Sequence, residues 1–549
     1  MLSTFSGLET AKRALHTNQQ ALQTVGHNIA NANTKGYSRQ RVNFTQTEAF
    51  PRPGFNQPGI PGQMGTGVKA GEIQRVRESF LDIQFRQENH KNGYWNSRLD
   101  ALTKMEDIMN EPTADGIAQT MDRFWQSMQD LSVNPEDAGA RSVVRQRGIA
   151  LAETINTSYA SIQAIQKDYQ NELGVKQTSM NSILRQIDSL NKQIASVEPH
   201  GYLPNDLYDQ RDTLVDELSS FMNIRVDRVP SGGMAKDMAD GKYTITALDK
   251  NGSPLQVNGE NVVLVNGSNL TATQVSLNYS ASESGELLDP LYSISFTNAA
   301  GEQQSVRISE FNSPGSLLGT AEAYGYYNGE APIEAGGTAA PGDITGIFPD
   351  MLRELDILVS SFAKQFNAVH NANHSLTEIK NNETLNIDFF STGGNTAFGD
   401  LAEGEHLVGA ARNFGISDSI KASLDNIAAA TAENGVAFAG DGSGALALAG
   451  VKDAALNFNG NNTNVQSYYQ AVIGEMAVDA NEAARMERNT ASLRGAVEER
   501  RHSVSSVSLD EEMAMMIQFQ HAYNAAARSL TNMDDLLDRI INRMGRVGL

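Results

Sequence analysis

His370 and His374 stand four residues apart, which on a helix places two imidazoles on one face and could hold zinc. A helical zinc-peptidase motif carries a glutamate directly after the first histidine as general base, and here Asn371 occupies that place. The tract reads as a helix end with no third ligand, so surface or capping histidines are expected; a zinc peptidase or cell-wall hydrolase is the enzyme-class alternative. Gly65-Thr66-Gly67 lacks the lysine, the preceding strand and the following helix of a phosphate loop. Gly440-Asp441-Gly442-Ser443-Gly444 has Asp441 where a nucleophile elbow needs serine. Both read as turns. Asp209, Arg211, Asp212, Asp216 and Glu217 cluster at three- and four-residue spacings, the pattern of ion pairs on a solvated helix face rather than of an acid–base pair. These residues assemble no catalytic set, and neither a metal nor a cofactor is expected.

The composition narrows the class further. The 549 residues allow several domains, and 40% hydrophobic content is ample for packed cores. A formal net charge of -22 argues against a nucleic-acid partner, whose phosphates are met by Lys and Arg. Cysteine is absent, which excludes disulfides and thiolate chemistry. The opening Met1-Leu2-Ser3-Thr4-Phe5-Ser6-Gly7 has no basic segment followed by an apolar one, so no cleaved secretory signal is expected. No apolar run approaches the ~20 residues that span a bilayer, so membrane insertion is not expected either.

The elements that must position any site alternate between helical and extended periods. Residues 1–44 read as a helix and turn, and 45–75, with Pro51, Pro53, Pro58 and Pro61, as an extended loop or short strand pair. Residues 76–223 carry helical stripes such as Trp95, Leu99, Leu102 and Met109, or Ile155, Ile162, Ile165, Tyr169 and Leu173, and predict a long-helix bundle. Alternation at Tyr243, Ile245 and Ala247 and the turns Asn251-Gly252 and Asn266-Gly267 predict a β-rich inserted module over 224–345. A helix is expected over 346–374, a mixed insertion over 375–465, a bundle helix over 466–503 and a C-terminal helix over 504–549. The fold class is mainly α with β-rich inserted modules, helical ends enclosing the insertions so that the two termini meet.

Those ends carry matching heptads. Leu8, Leu15, Leu22 and Ile29 recur every seven residues with Ala11, Asn18, Val25 and Ala32 between them. Leu509, Met516, Tyr523, Leu530, Leu537 and Met544 recur likewise, with Met513, Gln520, Ala527 and Ile541 beside them. A narrow apolar seam gains stability only when another helix covers it, so these ends form a coiled-coil-like element, packed either within the monomer or between subunits. The first seam runs into Asn28-Ile29-Ala30-Asn31-Ala32-Asn33-Thr34-Lys35-Gly36-Tyr37-Ser38-Arg39-Gln40.

That tract resembles the N-terminal signature of the flagellar rod, hook and hook-associated family, with Lys35 where many relatives carry proline. Ser508 to Glu512 and Phe519 to Arg528 resemble the family's C-terminal signature. The extension Tyr37-Ser38-Arg39-Gln40, with Asp209-Gln210-Arg211-Asp212 and Phe389-Phe390, is most similar to its hook–filament junction members. The resemblance implies a structural, non-enzymatic component of the bacterial flagellum, extracellular and exported by the flagellar secretion apparatus. It further implies self-association in a helical ring or tube, contact with hook protein and with hook-associated protein 3, and a cytoplasmic export chaperone on the C-terminal helix. Another axial protein, a hook protein or flagellin, is the nearest alternative. The assembly residues expected are Leu8, Leu15, Leu22, Val25 and Ile29 on the first helix and Asn31, Asn33, Gly36 and Tyr37 in the turn. Leu509, Met516, Tyr523, Leu530, Leu537 and Ile541 are their expected counterparts on the last helix.

Overall fold

The computed structural model describes residues 5–51, 62–109, 116–285, 287–329, 338–393, 398–433 and 436–543. Pro53, Pro58, Pro61 and Met544 lie outside them. Its backbone is built on twelve helices among the described residues: α1 Phe5–Ala30, α2 Ser79–Met109, α3 Ile117–Val133, α4 Ala138–Val197, α5 Asn205–Phe221, α6 Ser316–Tyr324, α7 Ile347–Ala372, α8 Leu376–Asn381, α9 Asp418–Ala422, α10 Ser443–Ala449, α11 Val465–Ser505 and α12 Leu509–Arg543.

The central beam is α4, 60 residues long and so about 90 Å at 1.5 Å per residue. Asp137 caps its start by accepting from the N–H groups of Gly139 and Ala140, each at 3.1 Å. Its stripe Val144, Leu151, Ile155, Ile162, Leu173, Leu184, Ile187 and Ile194 is wholly buried. It ends where Pro199 breaks the helical hydrogen-bond ladder. Around it pack α2, α3, α5, α6 and α7, and α11 lies antiparallel along α2: Arg501 reaches Asp82, Asn92 reaches Thr490, and Arg98 reaches Asp479.

Two inserted sheets dock on the same beam. β1 (Gln40–Gln46) and β2 (Val68–Arg75) form a hairpin near the N-terminus, bulged between Asn43 and Phe44. β3 (Ile224–Val229) pairs antiparallel with β4 (Lys242–Ala247), and the sheet continues through Val263–Asn266 to Thr271–Ala272. In a second, five-stranded sheet Leu291–Thr297 pairs antiparallel with both Gln303–Arg307 and Gln274–Tyr279. Two α4 asparagines extend the sheets' bonding onto the helix. Asn191 bonds both the carbonyl and the N–H of Tyr243, at 2.9 and 3.0 Å. Asn181 does the same with Val275, at 2.7 and 2.8 Å.

Two features depart from the sequence-based expectation. The first hairpin begins at Gln40, inside the expected helix-and-turn segment. The β-rich stretch contains α6, whose Leu317, Leu318, Ala321, Ala323 and Tyr324 are buried around nearly its whole circumference; a helix covered on all sides shows no one-sided stripe. The mixed insertion folds as short strand pairs and the brief helices α8, α9 and α10, tied to the bundle by an aromatic cluster. Phe124 of α3 lies 5.4 to 6.5 Å from the rings of Phe362, Phe366, Phe389 and Phe390. Truncating that fully buried hub, Phe124→Ala, is expected to cost about 3–5 kcal/mol, read as a lowered urea midpoint with the far-ultraviolet spectrum retained.

Candidate assembly interface

The two terminal helices lie antiparallel against each other. Gly7 faces Met533 at one end, and Asn28 bonds Glu512 at the other. Leu8, Leu15, Leu22 and Ile29 are half-buried and Val25 is buried. Each seam therefore covers the other within one chain. Helix α1 also rests on the hairpin, where Arg13 and Thr17 donate to the carbonyls of Thr66 and Val68.

On α12 the covered stripe is Glu512, Met516, Phe519, Tyr523, Ala526, Leu530, Met533 and Leu537, all buried or half-buried. The expected Met516, Tyr523, Leu530 and Leu537 are in it. Alternating with them, Glu512, Phe519, Ala526 and Met533 turn inward; of the positions the sequence pattern placed there, Met513 and Gln520 are exposed and Ala527 stays half-buried. Leu509, Met513, Ile517, Leu536, Ile540 and Ile541 are left 40 to 68% exposed. Two expected knobs, Leu509 and Ile541, thus lie on the outer face.

A buried polar knot fixes the end of the pair nearest the bundle. Asn28 donates to the Gln40 carbonyl at 2.8 Å and to Glu512 Oε2 at 3.0 Å. Its Oδ1 accepts from the Gln40 N–H at 3.0 Å and from the Tyr37 hydroxyl at 2.8 Å. All its amide bonding capacity is used, so the signature asparagine staples helix, turn and strand together. Glu512, wholly buried, also accepts from Arg39 Nε at 2.8 Å, while Arg39 NH1 reaches Glu511 at 2.9 Å. Burial and the charges of Asp206, Asp209 and Glu512 push the Tyr37 phenol well up, keeping its proton for Asn28. Gly36 adopts φ +81°, and a Cβ there would meet Thr213 Oγ1 at 2.2 Å; only glycine permits this approach to α5. Asn31 is half-buried and Asn33 is exposed.

Behind the knot lies a charge hub. Arg75 donates to Asp209 at 2.7 Å and Asp212 at 2.9 Å, and pairs closely with Asp240. Arg77 clamps Asp82 at 2.7 and 2.9 Å. Arg86 and Arg501 converge on Asp216 at 2.8 and 2.5 Å. The Ser38 N–H donates to Asp209 at 2.9 Å, joining hub to turn. Burial pushes the Asp212 carboxyl up, but the guanidiniums of Arg77, Arg75, Arg86 and Arg211 prevail and hold it well below the usual range. Arg211, also buried, lies 3.3 Å over the Tyr243 ring and donates to the Gly241 carbonyl at 2.6 Å. Of the cluster expected on a solvated face, Asp209, Arg211, Asp212 and Asp216 form an interior joint, and Glu217 is exposed as expected.

The remaining candidates are structural. His370 bonds the Ile387 carbonyl through Nδ1 at 2.7 Å and accepts from the Ala428 N–H through Nε2 at 2.9 Å. Both nitrogens are committed, and His374 sits in a short strand paired with Ala430. This overturns the capping or surface reading for His370 and leaves it no lone pair for zinc. Asp441 accepts from the N–H groups of Thr431 and Ser443, both at 2.9 Å, as a turn anchor. Thr66 donates to the Glu48 carbonyl at 2.6 Å in the hairpin. Sequence reasoning missed Arg141, fully buried, whose guanidinium holds the Pro135, Leu424 and Ile427 carbonyls; a lone arginine in a helix gives no signal of such a role.

The ends so joined match two family models: residues 8–37 the flagella basal body rod protein, and residues 502–544 the C-terminal region of the flagellar basal body rod FlgEFG proteins. This places the chain among the axial proteins of the flagellum. Residues 102–390 match the helical domain of flagellar hook-associated protein FlgK. The chain is 42% identical over 546 residues to flagellar hook-associated protein 1 of Bacillus subtilis, covering 99% of each. It is 29% identical over 237 residues to the Salmonella typhimurium protein of that name, covering 43% of this chain and 41% of that one. The flagellar hook junction protein FlgK from Burkholderia pseudomallei has the same fold, with a TM-score of 0.57 at 16% identity over 78% of this chain and all of that one. The chain belongs to the flagellar hook-associated protein 1 family, structural components of the bacterial flagellum.

One prediction follows from the committed histidine. Burial holds His370 neutral and pushes its pKa down to about 4, against about 6.5 in an unfolded chain. The unfolded state therefore takes up the proton first as pH falls: this contribution to stability is complete above about pH 6.5 and is lost progressively toward pH 4. His370→Ala should lower stability by about 1–3 kcal/mol at pH 7, through the orphaned Ala428 and Ile387 groups. It should also flatten the pH dependence of the urea midpoint over that window. His90, likewise pushed down to about 4 by burial, keeps part of the slope.

Proposed function

We propose that this chain is the adapter joining hook to filament, a ring- or tube-forming subunit whose α1–α12 pair packs against the same pair in its neighbours. The observation that carries the reading is the uncovered outer stripe of α12 beside an inner stripe already satisfied within the chain. Apolar residues spaced Leu509, Met513, Ile517 at one end and Leu536, Ile540, Ile541 at the other are costly to leave in water on a helix already paired. A second helical pair would cover them. Phe44, half exposed at the hairpin and edge-on to Phe519 at 5.8 Å, extends this surface toward the strands.

On this reading the subunit is exported through the flagellar apparatus without a cleaved signal. A cytoplasmic chaperone masks the α12 stripe beforehand. Hook protein lies on one side of the assembled ring and hook-associated protein 3 on the other. The expected assembly residues then divide: Leu8, Leu15, Leu22, Val25, Ile29, Met516, Tyr523, Leu530 and Leu537 hold the pair together, while Leu509 and Ile541 meet neighbours. The role is mechanical, with no catalytic step.

Ile517→Asp combined with Leu536→Asp changes only exposed positions, so circular dichroism and melting temperature should stay within ordinary surface-mutation limits. Cells carrying it should be non-motile and should shed filament subunits into the medium. Normal swimming would defeat the adapter reading, and polymerisation of the purified unaltered chain without hook ends would favour a filament-forming one.

A further inference from the structure

Arg211 of α5 is fully buried, with its guanidinium against the rings of Tyr243 at 3.3 Å and Tyr208 at 5.4 Å. Nη1 donates to the Gly241 carbonyl at 2.6 Å and to Asn191 Oδ1 at 3.2 Å. Nε and Nη2 meet no acceptor among the described residues. Those two atoms carry the parallel N–H pair with which arginine grips an oxygen-bearing group side-on. The carboxylate of the next residue, Asp212, is engaged elsewhere, by Arg75, Arg77, Arg86 and the Tyr243 hydroxyl.

Glu198, also fully buried, shows the reciprocal deficit. Its Oε1 accepts from the Gly241 N–H at 2.9 Å and from the Tyr208 hydroxyl. Its Oε2 meets no donor among the described residues. Gly241 thus carries Glu198 on its N–H and Arg211 on its carbonyl, which brings carboxylate and guanidinium to the two ends of one residue without a direct ion pair. Leaving a parallel N–H pair and a carboxylate oxygen unmet in the interior costs more than ordering a water between them. The chemistry also selects water over an ion: an anion would face the Glu198 carboxylate, and a cation would face the guanidinium. Two donors and one acceptor supply the about two to four polar partners that a buried water needs.

We infer that Arg211 and Glu198 hold a structural water between them, the Nε and Nη2 hydrogens donating to it and Glu198 Oε2 accepting from it. The water closes the corner at which the beam ends at Pro199 and the chain turns back into α5, and it joins that corner to Gly241 at the start of β4. Lysine at position 211 would bring the charge without the parallel N–H pair, so it cannot hold the same water. The site lies in the bundle and is independent of the adapter reading.

The test uses the full-length protein. Crystals diffracting well enough to show ordered waters should carry a density peak at about 2.7–3.2 Å from Arg211 Nε or Nη2 and from Glu198 Oε2. In solution, with isotopically labelled arginine, the Arg211 Nε–H resonance is assigned by its loss in Arg211→Lys. It should show a rotating-frame cross-peak to water with the sign of cross-relaxation to a resident water rather than of proton exchange. Arg211→Lys should lose the density peak, and its Gly241 N–H should exchange with deuterium at least about tenfold faster as the corner opens locally. A direct Arg211–Glu198 ion pair, a fork turned onto the unmet Asp188 Oδ1 on α4 instead, or no peak at the site would each overturn the inference. So would a cross-peak of exchange sign alone, or a peak and a Gly241 exchange rate that both survive in the lysine variant.

Discussion

Charge that has been taken out of water has to be answered where it lies, and in this molecule the answering groups come from segments far apart in the chain. Asp209 and Asp212 on α5 are met by Arg75 from the hairpin and, for Asp212, by Arg77 and Arg86. Asp216, one turn on, is met by Arg86 and by Arg501 from the far end of α11. Removing any member of such a joint leaves a buried ion uncompensated, a far larger penalty than the net gain from forming the joint. The joint therefore contributes specificity more than stability. It holds the hairpin, α2, α5 and α11 at one crossing point, and the terminal helices leave the bundle from there.

The nested order of the chain follows from the same place. The N-terminal segment passes through the crossing at Ser38 to Arg77, the bundle returns to it at Asn205 to Asp216, and the C-terminal segment re-enters at Arg501 to Glu512. The first β sheet is tied into the crossing as well, through Asp240 on Arg75, the Gly241 carbonyl on Arg211 and the Tyr243 hydroxyl on Asp212, while the second is held to α4 through Asn181. The rod-family matches fall at the two ends, and the FlgK helical-domain match over residues 102–390 spans most of the bundle together with both sheets.

Much of this was legible in the residues, for a physical reason. Long one-sided stripes announced α2, α3, α4, α7, α11 and α12, and alternation with Asn-Gly turns announced the sheet around Tyr243. What escaped were features without a local period. Helix α6 is apolar all round, so no face stood out. Asn28 and Glu512 meet across 484 positions of sequence, and a glutamate is naturally read as facing away from a seam. The one-residue displacement of the α12 stripe turns Phe519 and Met533 inward and leaves Gln520 and Asp534 in water, and Glu512 can join that inward face because Arg39 and Asn28 meet its carboxylate there. His370 looked like half of a metal pair because spacing records where side chains could meet, not whether their lone pairs are already engaged.

The beam α4 contains no proline, and its glycines are Gly139, Gly148 and Gly174. Gly139 is in the capped first turn, and Gly148 is wedged where a Cβ would come within 2.9 Å of Ile416 and 3.2 Å of Phe389. At Gly174 a Cβ would meet nothing within 4 Å. Torque entering at the crossing point therefore travels along one unbroken rod from the terminal helices to the outer modules. The rod is wedged at Gly148 near its far end and clamped by the two asparagine staples near its close, and between them Gly174 lowers helix propensity by about 1 kcal/mol relative to alanine. Twist imposed on a rod held at both of these places falls first on the residue of lowest helix propensity between them.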